Sequence, residues 1–269
     1  MKHERIYLNP KDERVYVDTY VANYSSCRPA MLVIPGGGYA QVCTNREGEP
    51  IALDFFAKGY NCFVLNYRVG KESDVYPSQL LDAGAAMIYI REHADELGID
   101  PKSVFAVGFS AGGHLCGSLA SMYAYPEVKA AFGDKYIMVK PTGAILAYPV
   151  TVANEYAHKG TFENLLGKSF DEYTEEDMDR FSLDRAVNAD TAPMFIWHTV
   201  EDRLVPVIGS LQLAIALTKV GVPYKLSVYP YGPHGLALST EVTNFGNSAQ
   251  VQPLAENWTS EADAWIKTL

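Results

Sequence analysis

The sequence has little of what marks a disulfide-rich or membrane-spanning protein. Its 269 residues include 4 cysteines, and neither their number nor their spacing fits a disulfide scaffold or a zinc site. These are Cys27, Cys43, Cys62 and Cys116, which we expect to be free thiols, mostly in the core. No apolar run is long enough to span a bilayer, and the first residues carry no secretory stretch, so we expect a cytoplasmic protein.

Positive charge is scarce as well. Lys and Arg number 22 against 32 Asp and Glu, which gives a formal net charge of −10. A surface of that sign repels phosphate backbones and anionic lipid, so we predict neither a nucleic acid nor a membrane as partner. Apolar residues, in contrast, make up 48% of the chain, which is enough for a large packed core.

Six short, almost continuous apolar runs indicate strands that are buried on both faces. They are AMLVIP (30–35), NCFVLNY (61–67), SVFAVGF (103–109), GAILAYP (143–149), PMFIWHT (193–199) and YKLSVYP (224–230). Stretches of helical character are found at 77–98, 207–220 and 252–268. This alternation predicts an α/β protein with a mostly parallel, twisted sheet and helices on both faces.

Two segments depart from the alternation. Residues 4–8 and 14–21 alternate apolar and polar side chains around a turn, which predicts an antiparallel edge at the N-terminal end of the sheet. Residues 150–192 are polar and acidic and lie between two predicted strands, so we interpret them as a small insertion of short helices over one end of the sheet. We therefore predict a single domain over residues 1–269 with a cap-like insertion at about 150–192.

The candidate nucleophile lies in Gly108-Phe109-Ser110-Ala111-Gly112, which follows a buried-strand pattern and leads into a segment of small residues. In this setting a GxSxG pentapeptide is typical of a nucleophile elbow, in which a strained turn lifts a serine above the sheet. Glycine two residues before and two residues after the serine leaves room for the neighbouring backbone. We predict that Ser110 is the nucleophile.

Donors for an oxyanion are sought at a second glycine-rich position. The stretch PGGGY, at 35–39, directly follows the first buried strand, and its glycines expose backbone N–H groups there. We expect Gly37 and Gly38 to donate N–H groups, with another from Ala111, the residue after the nucleophile. The alternative is a plain glycine turn without a partner.

Six histidines are available as a base: His3, His93, His114, His158, His198 and His234. His3 belongs to the N-terminal edge, His93 to the polar side of a helix and His158 to the insertion. We interpret these three as solvated surface residues.

The other three histidines lie closer to predicted strand ends. His114 is one turn into the helix after Ser110 and is expected to pack beneath the site, while His198 ends a strand and is interpreted as structural. His234 follows the last predicted strand in a glycine- and proline-rich loop that could bring an imidazole over the sheet. We predict that His234 is the base.

The acid that orients the imidazole is expected between serine and histidine in the chain. Asp202 follows the strand PMFIWHT, so that Ser110, Asp202 and His234 each come just after a strand's carboxyl end, where open α/β sheets place their sites. Glu201 is adjacent and chemically capable.

Together these residues resemble the α/β-hydrolase superfamily, and more narrowly the esterase/lipase group that includes bacterial carbohydrate acetyl esterases. The likeness extends over nearly the whole chain, including 47–69 (EGEPIALDFFAKGYNCFVLNYRV), 76–83 (YPSQLLDA) and 96–115 (ELGIDPKSVFAVGFSAGGHL). The RLVP sequence after the acid matches the acid loop of this family, which favours Asp202 over Glu201. Pro35 stands where the glycine motif, usually written HGGG, has histidine.

The resemblance implies a serine-dependent carboxylic ester hydrolase with a Ser-His-Asp triad and no metal or organic cofactor. The insertion lacks the large apolar stretches of a lid for long acyl chains, which favours removal of small acyl groups such as acetyl from acetylated sugars or oligosaccharides. Tyr39, Tyr229 and Tyr231 are near the site in sequence and are candidates to stack on sugar rings, although such aromatics also pack strands. A homo-oligomer is compatible with the sequence.

Other functions stay open. Relatives of this kind include short-chain carboxylesterases and amide hydrolases such as kynurenine formamidase-like enzymes and peptidases. A catalytically silent binding protein on the same scaffold is a further alternative, against which the intact Ser110, Asp202 and His234 argue.

Overall fold

The computed structural model describes residues 1–23, 27–70 and 74–269 of the chain. Its strands are β1 (Arg5–Tyr7), β2 (Tyr16–Tyr20), β3 (Arg28–Ile34), β4 (Asn61–Asn66), β5 (Ile99–Phe109), β6 (Ala144–Ala147), β7 (Met194–Thr199) and β8 (Tyr224–Tyr229). They form one sheet in the order β1-β2-β4-β3-β5-β6-β7-β8. The strands β3 to β8 pair in parallel, whereas β1 and β2 pair antiparallel with each other and β2 pairs antiparallel with β4. The predicted antiparallel edge is confirmed.

Helices cover both faces of the sheet. They are α1 (Thr44–Glu47), α2 (Glu49–Ala57), α3 (Ser78–Glu92), α4 (Ala94–Leu97), α5 (Ala111–Ser121), α6 (Pro126–Phe132), α7 (Lys159–Leu166), α8 (Glu175–Phe181), α9 (Leu183–Ala186), α10 (Ile208–Val220) and α11 (Trp258–Ile266). Apolar residues of α3, α5 and α10 pack with Leu32 of β3 on one face, while those of α2 and α11 pack with Met31 and Val33 on the other. Since neighbouring strand residues point to opposite faces, each central strand has to be apolar throughout.

Two predicted helices are shorter than expected. The stretch 77–98 is divided at His93 into α3 and α4, and it ends at Gly98, whose φ of 61° suits glycine. Of 252–268 only Trp258–Ile266 is α-helical, preceded by a short 3-10 helix at Ser248–Gln250.

The insertion at 150–192 carries α7, α8, α9 and a 3-10 turn at Phe170–Glu172. It contacts the loop that follows β3, because the amide Nδ2 of Asn164 in α7 donates to the carbonyl oxygen of Gly38 at 2.8 Å. It also contacts α5, where the His114 ring bonds the carbonyl oxygen of Phe181 at 2.8 Å. The insertion therefore lies against the end of the sheet at which the parallel strands terminate. None of the helices within the described ranges is long and apolar enough to cross a bilayer.

The joint between β5 and α5 is held by close backbone contacts that only glycine permits. A Cβ on Gly108 would lie 2.1 Å from the carbonyl oxygen of Gly112, and a Cβ on Gly112 would lie 2.2 Å from that of Ile34. The helix α5 can therefore start directly against the end of β3.

We expect Gly112→Ala to lower the free energy of unfolding by about 3 kcal/mol, because the added methyl meets backbone that cannot rotate away. Urea denaturation measures this loss. Gly160→Ala is the control, since a Cβ at Gly160 meets only the Cε1 atom of His158, at 3.7 Å. Equal stability of the two variants would contradict the interpretation.

Candidate active site

Ser110 occupies the turn between β5 and α5 with φ 53° and ψ −118°, a conformation that non-glycine residues rarely adopt. The backbone is fixed there on both sides, since Ser110 N–H donates to the carbonyl oxygen of Ala147 at 3.0 Å and its own carbonyl accepts from Val150 N–H at 3.1 Å. Strain of this kind persists only where surrounding contacts enforce it. The turn holds the Ser110 side chain at the carboxyl end of β5.

The side chains of Ser110, His234 and Asp202 form one hydrogen-bonded chain. His234 Nε2 lies 2.8 Å from Ser110 Oγ, and His234 Nδ1 lies 2.6 Å from Asp202 Oδ2. An ionised carboxylate only accepts hydrogen bonds, so Nδ1 carries the proton and Nε2 accepts from the serine hydroxyl. The geometry is that of a nucleophile, a base and an orienting acid.

Asp202 is shared by two imidazoles. Its Oδ2 also lies 3.2 Å from Nε2 of His198, and its Oδ1 accepts backbone N–H groups from Leu204 and Val205 at 3.0 and 2.9 Å. Burial by itself raises the pKa of Asp202, but the hydrogen bonds from His198 and His234 outweigh it and hold that pKa well below its usual range. The carboxylate is therefore ionised at neutral pH.

The neighbouring acid has a different position. Glu201 is exposed, and its Oε2 accepts the backbone N–H of Gly232 at 3.0 Å, so it fixes the loop that carries His234. The geometry therefore favours Asp202 as the partner of the imidazole. His198, interpreted from sequence as structural, is fully buried, and its ring contacts the carboxylate of Asp202. Its position at a strand end, four residues before Asp202, was the sequence signal that could have predicted this contact.

The glycine loop leaves its donors free. Its carbonyl oxygens are used: Pro35 accepts from the Tyr67 hydroxyl at 2.7 Å, Gly37 from Ala40 N–H at 3.0 Å, and Gly38 from Asn164. In the part of the chain that the structure describes, the N–H groups of Gly37, Gly38 and Ala111 have no protein acceptor. Two half-exposed glycines and the first residue of α5 thus offer unused donors at the ends of adjacent strands.

The three tyrosines named as candidates to stack on sugar rings differ in their placement. Tyr39 is fully buried, and its hydroxyl bonds Nδ1 of His114 at 2.9 Å, so its ring has no face for a substrate. Tyr229 packs on Trp197, and its hydroxyl donates to Glu261 of α11 at 2.9 Å. The full burial of Tyr39 corrects the expectation that it stacks on a sugar, whereas Tyr229 is half-buried and stays a candidate. Tyr231 is 58% exposed and stays a candidate.

His158 was interpreted as solvated surface, and the structure corrects this. The residue is half-buried at the start of α7, with Nδ1 2.8 Å from Thr161 Oγ1. That oxygen lies 3.8 Å from the point where a Cβ on Gly38 would be. Burial, and then the charge of His234, lower the pKa of His158. Sequence reasoning missed this position because a polar insertion gives no periodicity from which to place a side chain.

The described residues include no group of three or more His, Cys, Asp or Glu side chains arranged to hold a metal ion. The site consists instead of a serine, two histidines, a carboxylate and backbone donors. A mostly parallel eight-stranded sheet with this site at the ends of β5, β7 and β8 defines an α/β hydrolase.

Comparisons with known proteins agree with this class. The BD-FAE family model matches residues 17–217, and the chain belongs to that family. Among solved structures, an acetyl ester-xyloside bifunctional hydrolase from Caldicellulosiruptor lactoaceticus has a TM-score of 0.83 at 31% identity, over 98% of this chain and 96% of that one. A carboxylesterase from Lactobacillus plantarum has a TM-score of 0.85 at 26% identity, over 100% and 98%. The predicted α/β-hydrolase fold and the resemblance to esterases are confirmed.

Curated relatives are longer proteins. The chain is 39% identical to endo-1,4-beta-xylanase B of Butyrivibrio fibrisolvens, over 82% of its own length and 34% of the relative's. It is 32% identical to an acetylxylan esterase of Xylanibacter ruminicola, over 78% of its own length and 42% of the relative's. The chain thus spans less than half of each of these two proteins.

The buried His114 gives a pH-dependence prediction. Burial lowers the pKa of His114 to about 4, although the Phe181 carbonyl opposes this. Below its ordinary pKa of about 6.5 the unfolded chain takes up a proton that the folded protein refuses, so stability falls as pH drops from that value toward the lowered one.

The variant His114→Gln cannot titrate at this position. Between pH 7 and 5 its free energy of unfolding should fall by about 2 kcal/mol less than that of the parent. Urea denaturation of both proteins at each pH measures the difference. An equal fall in both would show that His114 is protonated in the folded state.

Proposed function

We propose that this protein is a serine-dependent carboxylic ester hydrolase that removes small acyl groups, acetyl above all, from sugars or oligosaccharides. The observation that carries the proposal is the hydrogen-bonded chain of Ser110, His234 and Asp202 beside unused backbone donors. In this proposal the oxyanion is held by the N–H groups of Gly37, Gly38 and Ala111. The names of the acetyl ester hydrolases among its relatives support the acyl group.

The reaction proceeds by two acyl transfers. His234 takes the proton of Ser110 as Oγ attacks the ester carbonyl, and the backbone donors stabilise the negative oxygen of the tetrahedral intermediate. The intermediate collapses, and the alcohol leaves with the proton from His234. Water, deprotonated by His234, then releases the carboxylic acid and restores Ser110. This chemistry requires no metal ion or organic cofactor.

The side chains of the insertion favour a substrate whose alcohol part is polar. The helix α7 brings His158, Thr161 and Asn164 to the oxyanion loop, and these side chains offer hydrogen bonds to hydroxyl groups. Among the described residues, Nε2 of His158 has no protein partner. A lid for long acyl chains would place apolar side chains here. We infer that His158, together with the exposed Tyr231, contacts the sugar.

Ser110→Ala should reduce kcat/KM for 4-nitrophenyl acetate by at least about 10³-fold, because the attacking oxygen is removed. Ser121→Ala is the matched control, since Ser121 is a buried serine at the last residue of α5, the helix that Ser110 precedes. Release of 4-nitrophenol measures both. If the parent is no faster than Ser110→Ala, a binding protein on this scaffold is favoured.

Asp202→Asn should lower kcat by about 10³- to 10⁴-fold, because the amide favours the wrong imidazole tautomer. Glu201→Gln, which keeps an oxygen for Gly232 N–H, should stay within a few-fold of the parent. The reverse order of the two effects would assign the acid to Glu201.

Substrate class is tested on acetylated xylo-oligosaccharides, 4-nitrophenyl acetate, a longer acyl ester and N-formylkynurenine under one condition. We expect kcat/KM to be highest for the acetylated sugars. Within that panel, His158→Ala should raise KM for the acetylated xylo-oligosaccharides about tenfold, the value of one hydrogen bond, and leave KM for 4-nitrophenyl acetate within about twofold. His93→Ala, at the end of α3, is the control. A preference for the longer ester or the formamide would refute the sugar proposal.

The single-domain organisation over residues 1–269, the cytoplasmic location and a homo-oligomer stay predictions from the sequence.

A further inference from the structure

The carboxylate of Glu47 lies within the candidate site, although it has no part in the mechanism above. Glu47 is the last residue of α1 and is 2% exposed. Its Oε2 accepts the backbone N–H of Gly36 at 2.8 Å, and its Oε1 accepts the hydroxyl of Tyr148 at 2.9 Å. Burying a carboxylate is costly unless its oxygens are satisfied, and here two donors satisfy it.

Each of these donors belongs to a different wall of the site. Gly36 immediately precedes the glycines of the oxyanion loop, and a Cβ placed on it would lie 3.0 Å from Ser110 Cβ. The hydroxyl of Tyr148 also accepts the backbone N–H of Ala237 at 2.9 Å, three residues after His234. A continuous path therefore runs from Gly36 through Glu47 and Tyr148 to the loop that carries His234.

We propose that Glu47 is a positioning residue that, through Tyr148, fixes the oxyanion loop and the His234 loop relative to each other. This inference rests on the proposed ester hydrolase function. It also explains how the loop is held although Pro35 replaces the usual histidine. The Tyr67 hydroxyl donates to the carbonyl oxygen of Pro35, and the carboxylate of Glu47 accepts the N–H of Gly36.

Other contacts along the path agree with this role. The ring of Tyr148 packs edge-on against the His234 ring, with centroids 5.1 Å apart. Burial, and then the charge of Glu47, raise the pKa of Tyr148 well above its ordinary value, so the hydroxyl keeps the proton that it donates. Nη2 of Arg46 lies 3.5 Å from Oε1 of Glu47. The same Nη2 atom packs closely on Gly235, since a Cβ on Gly235 would lie 2.9 Å from it.

The role predicts an effect on turnover without an equal effect on binding. A misplacement of reacting groups by about 1 Å can reduce the rate a hundredfold, whereas contacts that only bind the substrate are unaffected. We expect Glu47→Ala and Tyr148→Phe each to lower kcat for 4-nitrophenyl acetate at least about tenfold, with KM within about threefold. Glu47→Gln keeps an oxygen for Gly36 N–H and should recover most of the lost rate.

Matched controls separate positioning from general stability. Asp82 is a carboxylate of similar burial that pairs with Arg68, and the hydroxyl of Tyr60 donates to Asp263 at 2.9 Å. Asp82→Ala and Tyr60→Phe should lower the unfolding midpoint and leave kcat per active site within about twofold of the parent. Active sites are counted by stoichiometric labelling of the nucleophile with an alkyl phosphonate.

A boronic acid that forms a tetrahedral adduct with serine supplies a second readout. Its inhibition constant should rise in Glu47→Ala roughly in proportion to the loss of kcat/KM, and only slightly in Glu47→Gln. If Glu47→Ala and Tyr148→Phe retain kcat within twofold per labelled site, the positioning role is refuted. Should Glu47→Ala fail to fold, Tyr148→Phe alone decides by the same criterion.

The two proposals fail in distinguishable ways. An active Ser110→Ala variant would overturn the ester hydrolase mechanism itself. An inactive Ser110→Ala together with a fully active Glu47→Ala would overturn only the role of Glu47.

Discussion

The close approach of α5 to the end of β3 is the constraint on which this site depends. With only hydrogen at Gly112, the first turn of the helix rests on the carbonyl groups of Ile34 and Pro35. That contact places Ala111 N–H next to the loop that continues from Pro35. The turn that carries Ser110 and the glycine loop are therefore held together by the same packing. A single added methyl group would separate Ser110 from the backbone donors that the proposed reaction needs.

Much of this arrangement could be predicted from the sequence because it follows from chain order. Parallel strands end at one edge of a sheet, so residues placed directly after strands, such as Ser110, Asp202 and His234, converge there whatever the details of packing. The fold class and the antiparallel edge followed from apolar runs and alternation in the same way. The catalytic roles of the three residues rest on the proposed mechanism and await its tests.

Contacts between distant segments were beyond prediction. Tyr39 follows the glycine loop, which suggested access to substrate, but tertiary packing directs its ring onto His114. His158 belongs to an irregular insertion, where neither spacing nor periodicity indicates direction. Glu47 is one acid among 32 acidic residues in the sequence, and only its hydrogen bonds to Gly36 and Tyr148 distinguish it. Such residues are found by the partners they meet, and a single sequence does not contain that information.

The four hydrogen-bond donors around Asp202 bear on where the protons of His234 reside. Two backbone N–H groups occupy Oδ1 and two imidazoles occupy Oδ2, so every lone pair of the carboxylate is engaged. Because these hydrogen bonds hold the pKa of Asp202 well below its usual range, the proton on Nδ1 of His234 stays on the imidazole. In the proposed mechanism, a second proton taken up at Nε2 of His234 can then leave only from Nε2, toward the departing alcohol.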